Sequence, residues 1–196
     1  MTCIIGYIDR KNDCVWMGCD SLGSNGFTKD VESSSKAFHN NTMKNVIMGG
    51  TTTFRHLDLL RYSDKLFDEI ETYKNPTIDH KYMVTKFIPK VIELFKDGVI
   101  HEEDKNKGAN FIVGVNNKLF EIQSDYSVLE PMDGMCAVGC GEYTAMGSLY
   151  STKDDEAKTI PERIQIALEA AEHCCCGVQR PFRIINTKND EEIIIE

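Results

Sequence analysis

Apolar positions along the chain follow two rhythms, one of strands and one of helices. Two opening runs, residues 3–8 and 14–19, are rich in β-forming side chains and flank the turn sequence Asp9-Arg10-Lys11-Asn12-Asp13, which predicts a pair of strands. Residues 21–26, Ser-Leu-Gly-Ser-Asn-Gly, read as a loop. A short strand is predicted over 34–39, and Val46-Ile47-Met48-Gly49-Gly50 reads as a buried strand ending in two glycines. The spacing then lengthens. Phe54, Leu57, Leu60, Leu66, Phe67 and Ile70 predict a helix over 53–73. Tyr82, Val84, Phe87, Ile88, Val91, Ile92, Leu94 and Phe95 predict a second over 79–96, with Asp79 as its N-cap and a kink at Pro89. Residues 101–108 are a charged, solvated connection. Strands return over 110–115, 118–123, near Val128 and over 135–138, with a hairpin turn at Asn116-Asn117. Two further helices are predicted over 142–151 and 161–174, Pro161 suiting a first helical turn. Residues 182–185 and 192–195 form a closing hairpin.

The order is strands, two helices, strands, two helices, strands. Helices do not alternate singly with strands, which argues against a doubly wound parallel sheet. Two antiparallel sheets packed together, with a helix pair outside each, fit best. With no repeat, low-complexity tract or linker, residues 1–196 are expected to be a single domain.

Composition narrows the function. Lys and Arg number 22 against 31 Asp and Glu, a net charge of −9. Such a chain lacks the electrostatic footprint of a nucleic-acid binder and suits an anionic membrane surface poorly. No apolar run approaches the ~20 residues that span a bilayer. The opening residues carry no signal-peptide pattern, so a cytoplasmic location is expected, with all eight cysteines as free thiols.

The first candidate for chemistry is Thr2. If Met1 is removed, hydroxyl and α-amine sit on one residue. An α-amine with pKa ~7.7–8.0 is partly unprotonated near neutral pH and can act as base for its own hydroxyl. Thr2 opens an apolar strand. The second strand ends in an acid, Asp20, and Lys36 follows in an extended segment. Together Asp20 and Lys36 could pair beside the amine, where an ammonium lowers the amine's pKa.

Taken as an ordered set, Thr-x-Ile-x-Gly at the start, Gly-x-Asp ending the second strand, Lys in the next extended segment and Gly-Gly-Thr before a long helix resemble the proteasome β-subunit and HslV peptidase family. Gly139-Cys140-Gly141-Glu142 resembles that family's Gly-Ser-Gly, and Ala167-Leu168-Glu169-Ala170-Ala171 its late helix. The resemblance implies an α+β fold, a four-layer αββα sandwich of the N-terminal-nucleophile (Ntn) hydrolase class. It implies Thr2 as nucleophile and base, Lys36 tuning the amine, Asp20 holding Lys36, and the Gly49 N–H as oxyanion donor. A peptide or unfolded-protein substrate is expected as an added strand between the loop after Asp20 and the segment around Gly49. Ile47 and Ala37 are expected to line its side-chain pocket. A homo-oligomeric ring and an ATP-driven unfoldase partner are also implied.

Two departures matter. Cys140 stands where the family has Ser; a thiol is larger and a weaker hydrogen-bond partner, so its bond to the amine is expected to be lost or replaced. The Asp and Ser that proteasome subunits carry after the late helix fall on Cys175 and Val178, a pattern closer to HslV. The reading is a threonine-type peptidase. The alternatives are a catalytically silent ring-forming scaffold, favoured if Met1 is retained, and a small-amide hydrolase. No cofactor or metal is expected. His173-Cys174-Cys175-Cys176 projects side chains about 100° apart on a helix, which does not converge on one ion. Cys14, Cys19, Cys136 and Cys140 read as core thiols, Gly139-x-Gly141 lacks a nucleotide-binding context, and no histidine has triad spacing.

Overall fold

The computed structural model describes residues 1–51, 53–67, 78–98 and 108–196. Strands β1 (Ile4–Asp9) and β2 (Cys14–Cys19) pair antiparallel, as their runs of β-formers predict. A hairpin of β3 (Leu22–Ser24) and β4 (Lys29–Val31) follows, then β5 (Ala37–His39) and β6 (Val46–Gly50). Helix α1 (Phe54–Tyr62) is capped by Thr53, whose side chain accepts from the His56 N–H. Helix α2 begins at the Asp79 cap, where the side chain accepts from the Tyr82 N–H at 2.8 Å. It runs as an α-turn (His80–Tyr82), a π-helical stretch (Met83–Phe87) and an α-helix (Ile88–Gly98).

Strands β7 (Phe111–Val115), β8 (Lys118–Ile122), β9 (Val128–Leu129) and β10 (Met135–Val138) precede helices α3 (Glu142–Thr152) and α4 (Ile160–Cys174). A capping box closes the start of α4: Thr159 and Glu162 each accept from the other's backbone. Strands β11 (Phe182–Asn186) and β12 (Ile193–Ile195) close the chain.

One sheet has the order β10-β1-β2-β11-β12 and the other β5-β6-β7-β8-β9. Alternation along β1 explains the layering. Ile4 points between the sheets with Val15, Met17, Ile47, Ile112 and Leu119. Ile5 and Tyr7 point the other way, onto Ala145, Leu149, Ile164 and Leu168 of α3 and α4. Outside the second sheet, Leu57 and Leu60 of α1 and Phe87, Val91 and Phe95 of α2 cover Met48, Phe111, Val113 and Phe120. The result is the expected four-layer αββα sandwich.

Four local expectations change. The loop over 21–26 contains β3, and its Asn-Gly sits in the turn to β4. The strand expected over 34–39 is shorter, starting at Ala37. Helix α1 stops at its Ser63 cap; residues 68–73 of the expected helix lie outside the described residues, as does most of the 101–108 connection. The adjustment at Pro89 takes the form of the preceding π-turn, in which the Ile88 N–H donates to the Met83 carbonyl. Proline has no N–H to continue the ladder, and one wider turn absorbs the mismatch.

Candidate active site

Thr2 sits just before the inner strand β1, between the end of β2 and the turn after β10. Its carbonyl accepts from the Gly141 N–H at 3.3 Å. Gly139, with φ of +106°, lets that turn close over it; a Cβ there would lie 2.2 Å from the Thr2 carbonyl oxygen. Thr2 is only 5% exposed.

Asp20 follows β2 and is fully buried. Its carboxylate accepts from the Cys3 N–H at 2.9 Å, the Leu22 N–H at 3.0 Å and the Gln179 N–H at 3.4 Å. Lys36 reaches it from the other sheet, immediately before β5, and is 1% exposed. The ammonium donates to both Asp20 oxygens at 2.9 Å, to the Leu22 carbonyl at 2.7 Å and to Thr2 Oγ1 at 3.2 Å. Every proton of the ammonium is therefore engaged, as a buried cation requires. Removing one partner of such a pair typically costs about 3–5 kcal/mol, because the other charge is left uncompensated. Thr2, Asp20 and Lys36, far apart in sequence, thus meet at one point.

Cys140 does make a bond where the sequence leads one to expect its loss or replacement. The Thr2 N–H donates to Cys140 Sγ at 3.2 Å, and the thiol lies 3.5 Å from the Thr2 carbonyl oxygen. Sulfur's size lets it span a gap that a hydroxyl would leave wider.

Gly49 lies in β6, and a Cβ on it would meet Met17 and Ile4 between the sheets. The Thr51 N–H donates to the Asn110 carbonyl on the β7 side, and Gly49 pairs with Ile112 in the same register. In an antiparallel ladder residues two apart bond to the same side, so the Gly49 N–H faces β7. The Gly50 N–H faces the opposite side, toward Lys36, where it makes only a long 3.4 Å bond to the Lys36 carbonyl. Gly50, which sequence reasoning passed over, borders the cleft. Ala37 and Ile47 do not; both are packed between the sheets.

The cleft in front of Thr2 holds about 300 Å³ and is bordered by Leu22, Ser24, Lys36, Gly50, Phe54 and Leu57, among others. Met1 also borders it. Its carbonyl accepts from Thr2 Oγ1, and it packs against Gly177. In this uncleaved form the Thr2 nitrogen is a peptide N–H, so no α-amine is present beside the hydroxyl.

No known sequence family matches the chain, and no curated protein does. Solved structures do. The chain is similar to HslV from Trypanosoma brucei at 19% identity and a TM-score of 0.68, covering 94% of this chain and 98% of that one. It is also similar to BPH from Thiobacillus denitrificans, solved with epoxomicin, at 13% identity and a TM-score of 0.72 over 100% of both chains. A third is the Gly-1 mutant of Anbu from Hyphomicrobium sp. strain MC1, at 12% identity and a TM-score of 0.68, covering 100% of this chain and 87% of that one. The fold is therefore that of the proteasome-like Ntn hydrolases. Among the described residues no helix is long and apolar enough to cross a membrane.

Proposed function

We propose that the protein is a threonine-type N-terminal-nucleophile peptidase, activated by cleavage of the Met1–Thr2 bond. One observation carries this reading: a fully buried ammonium, Lys36, holds a buried carboxylate with one face and the Thr2 hydroxyl with another. Such a cation serves little purpose beside an ordinary surface threonine, since burying it is costly. Beside a free α-amine it favours the unprotonated form.

In the proposed reaction the Thr2 amine takes the proton from Oγ1, directly or through a water. Oγ1 attacks the scissile carbonyl carbon, and the developing oxyanion is met by the Gly50 N–H, in place of the Gly49 N–H first expected. A donor in that position is often worth about 3 kcal/mol. The amine then passes its proton to the leaving nitrogen, and an acyl ester remains on Thr2. Water, deprotonated by the same amine, hydrolyses it. Cys140 Sγ orients the nitrogen throughout. A peptide entering as an added strand lies between β3 and the Gly50–Thr53 segment. Leu22, Phe54 and Leu57 give the cleft an apolar wall, which favours an apolar side chain beside the cleaved bond. A homo-oligomeric ring and an ATP-driven unfoldase remain parts of this proposal.

A second reading, motivated by Cys140 in place of the family's Ser, is a silent scaffold of the same fold, which holds if Met1 stays on the chain, because an amide nitrogen cannot act as base. The test is a chain made to begin at Thr2, assayed on fluorogenic peptides and on simple amides. Peptide turnover together with an acyl adduct on Thr2 supports the peptidase; turnover of amides alone supports a small-amide hydrolase. No turnover and no adduct leaves the scaffold. Sedimentation of the same sample reads the oligomeric state.

A further inference from the structure

A second sulfur lies against the one that holds the Thr2 nitrogen. Cys140 is exposed, and Cys175 is half-buried at the C-terminal cap of α4, its N–H donating to the Ala171 carbonyl at 2.9 Å. The turn that follows Cys175 presses on Cys140: a Cβ on Gly177 would stand 2.5 Å from Cys140 Sγ. Only a glycine there lets the two turns come this close. Cys175 stands two residues before that contact, and Cys140 is near enough to raise its thiol.

We propose that Cys140 and Cys175 form a reversible disulfide that switches the Thr2 site, the oxidant being a peroxide. The chemistry balances within the pair. The Cys140 sulfur, as thiolate, attacks one peroxide oxygen; the O–O bond breaks, hydroxide leaves as water, and Cys140 becomes a sulfenic acid. The Cys175 sulfur then attacks the Cys140 sulfur, the S–O bond breaks, a second water leaves and the S–S bond forms. Two thiols are oxidised by two electrons and one peroxide is reduced to two waters. A dithiol reverses the step by exchange.

Exposure decides which sulfur meets the oxidant first. Cys140 is open to solvent, whereas burial above all, with its Cys140 neighbour adding to it, raises the Cys175 thiol and keeps it protonated. Cys3, also near, is fully buried, and desolvation holds its thiol far above the ordinary range. In the disulfide, Cys140 Sγ turns toward α4 and away from the Thr2 nitrogen. The loss of activity rests on the peptidase reading; the bond itself does not.

The test uses the chain made to begin at Thr2, reduced, exposed to hydrogen peroxide and then blocked with an alkylating agent. The expected result is two alkyl labels fewer than the reduced protein takes and a cross-linked peptide joining Cys140 to Cys175. Peptidase activity falls at least about tenfold, the loss of one hydrogen bond to the reacting nitrogen, and dithiothreitol restores it. Cys175→Ser keeps the activity of the reduced protein, forms no such cross-link and loses no activity reversibly. Cross-linking of Cys140 to Cys174 or Cys176, no cross-link at all, or equal reversible sensitivity in Cys175→Ser overturns the proposal. If the reduced chain hydrolyses no peptide, the function reading fails, while the cross-link map still decides the pairing.

Discussion

Strand β1 has a cleft at each end, and the two are built on opposite plans. At the Thr2 end the space is small, about 300 Å³, and its cation is buried, bonded to a carboxylate and to the hydroxyl at the chain's front. At the Asp9 end a wider cleft of about 1020 Å³ is bordered by Tyr7, Arg10, Trp16, Lys158 and Arg163. There the charges serve local structure. Asp9 accepts from the N–H groups of Lys11 and Asn12, Glu162 caps α4, and Arg163 donates to the Tyr7 hydroxyl and the Asp155 carbonyl. The larger hollow is thus a seam between α4 and the sheet, and the smaller one carries the arrangement that can do chemistry. Burial and mutual bonding of charges, more than volume, mark the difference.

Substitutions at the two ends should separate them. Thr2→Ala should lower peptide hydrolysis by at least about 10⁴-fold without shifting the melting temperature, read by fluorogenic assay beside calorimetry. Lys36→Ala should cost about 3–5 kcal/mol in urea unfolding, because Asp20 is left buried and unpaired. The double variant Asp20→Leu with Lys36→Met should recover much of that stability and none of the activity; recovered hydrolysis would refute the role of the pair. Thr159→Ala, at the wide cleft, should cost about 1 kcal/mol through loss of the helix cap and leave hydrolysis untouched. The smallest effect concerns acid. Burial opposes ionisation of Asp9, but hydrogen bonds from Asn12 and Lys11 outweigh it and hold the carboxyl below its usual value. Its contribution is therefore full above the ordinary aspartate pKa of about 3.9 and fades as pH falls through the lower folded value. Asp9→Asn should flatten the acid limb of stability over that range, and an unchanged limb would show that the bonds do not form in solution.

Much of this was legible in the residues. Thr2, Asp20 and Lys36 announce themselves as the leading residue of a strand, the acid ending a second and the cation opening a third. Alternation placed the sheets, and Asp79 and Pro161 marked helix starts. What escaped was set by groups that sequence does not display. The Leu22 carbonyl and the Gln179 N–H complete the charge pair, yet any residue supplies them. Gly49 and Gly50 are identical letters, and only the register of β6 against β7 tells which N–H borders the cleft. The β3–β4 hairpin was hidden because its strands are short and β4 is wholly exposed, leaving turn residues to dominate the pattern. Cys175 drew notice as a departure from a pattern, while its nearness to Cys140 depends on how α4 ends.

Lys36 leads into a strand of one sheet, while Thr2 and Asp20 flank strands of the other. Docking the two halves of the sandwich therefore brings Thr2, Asp20 and Lys36 together in a single event. A newly made or half-collapsed chain holds the three groups apart, so under the proposed function the front end gains its hydrolytic capacity only in the fully built fold.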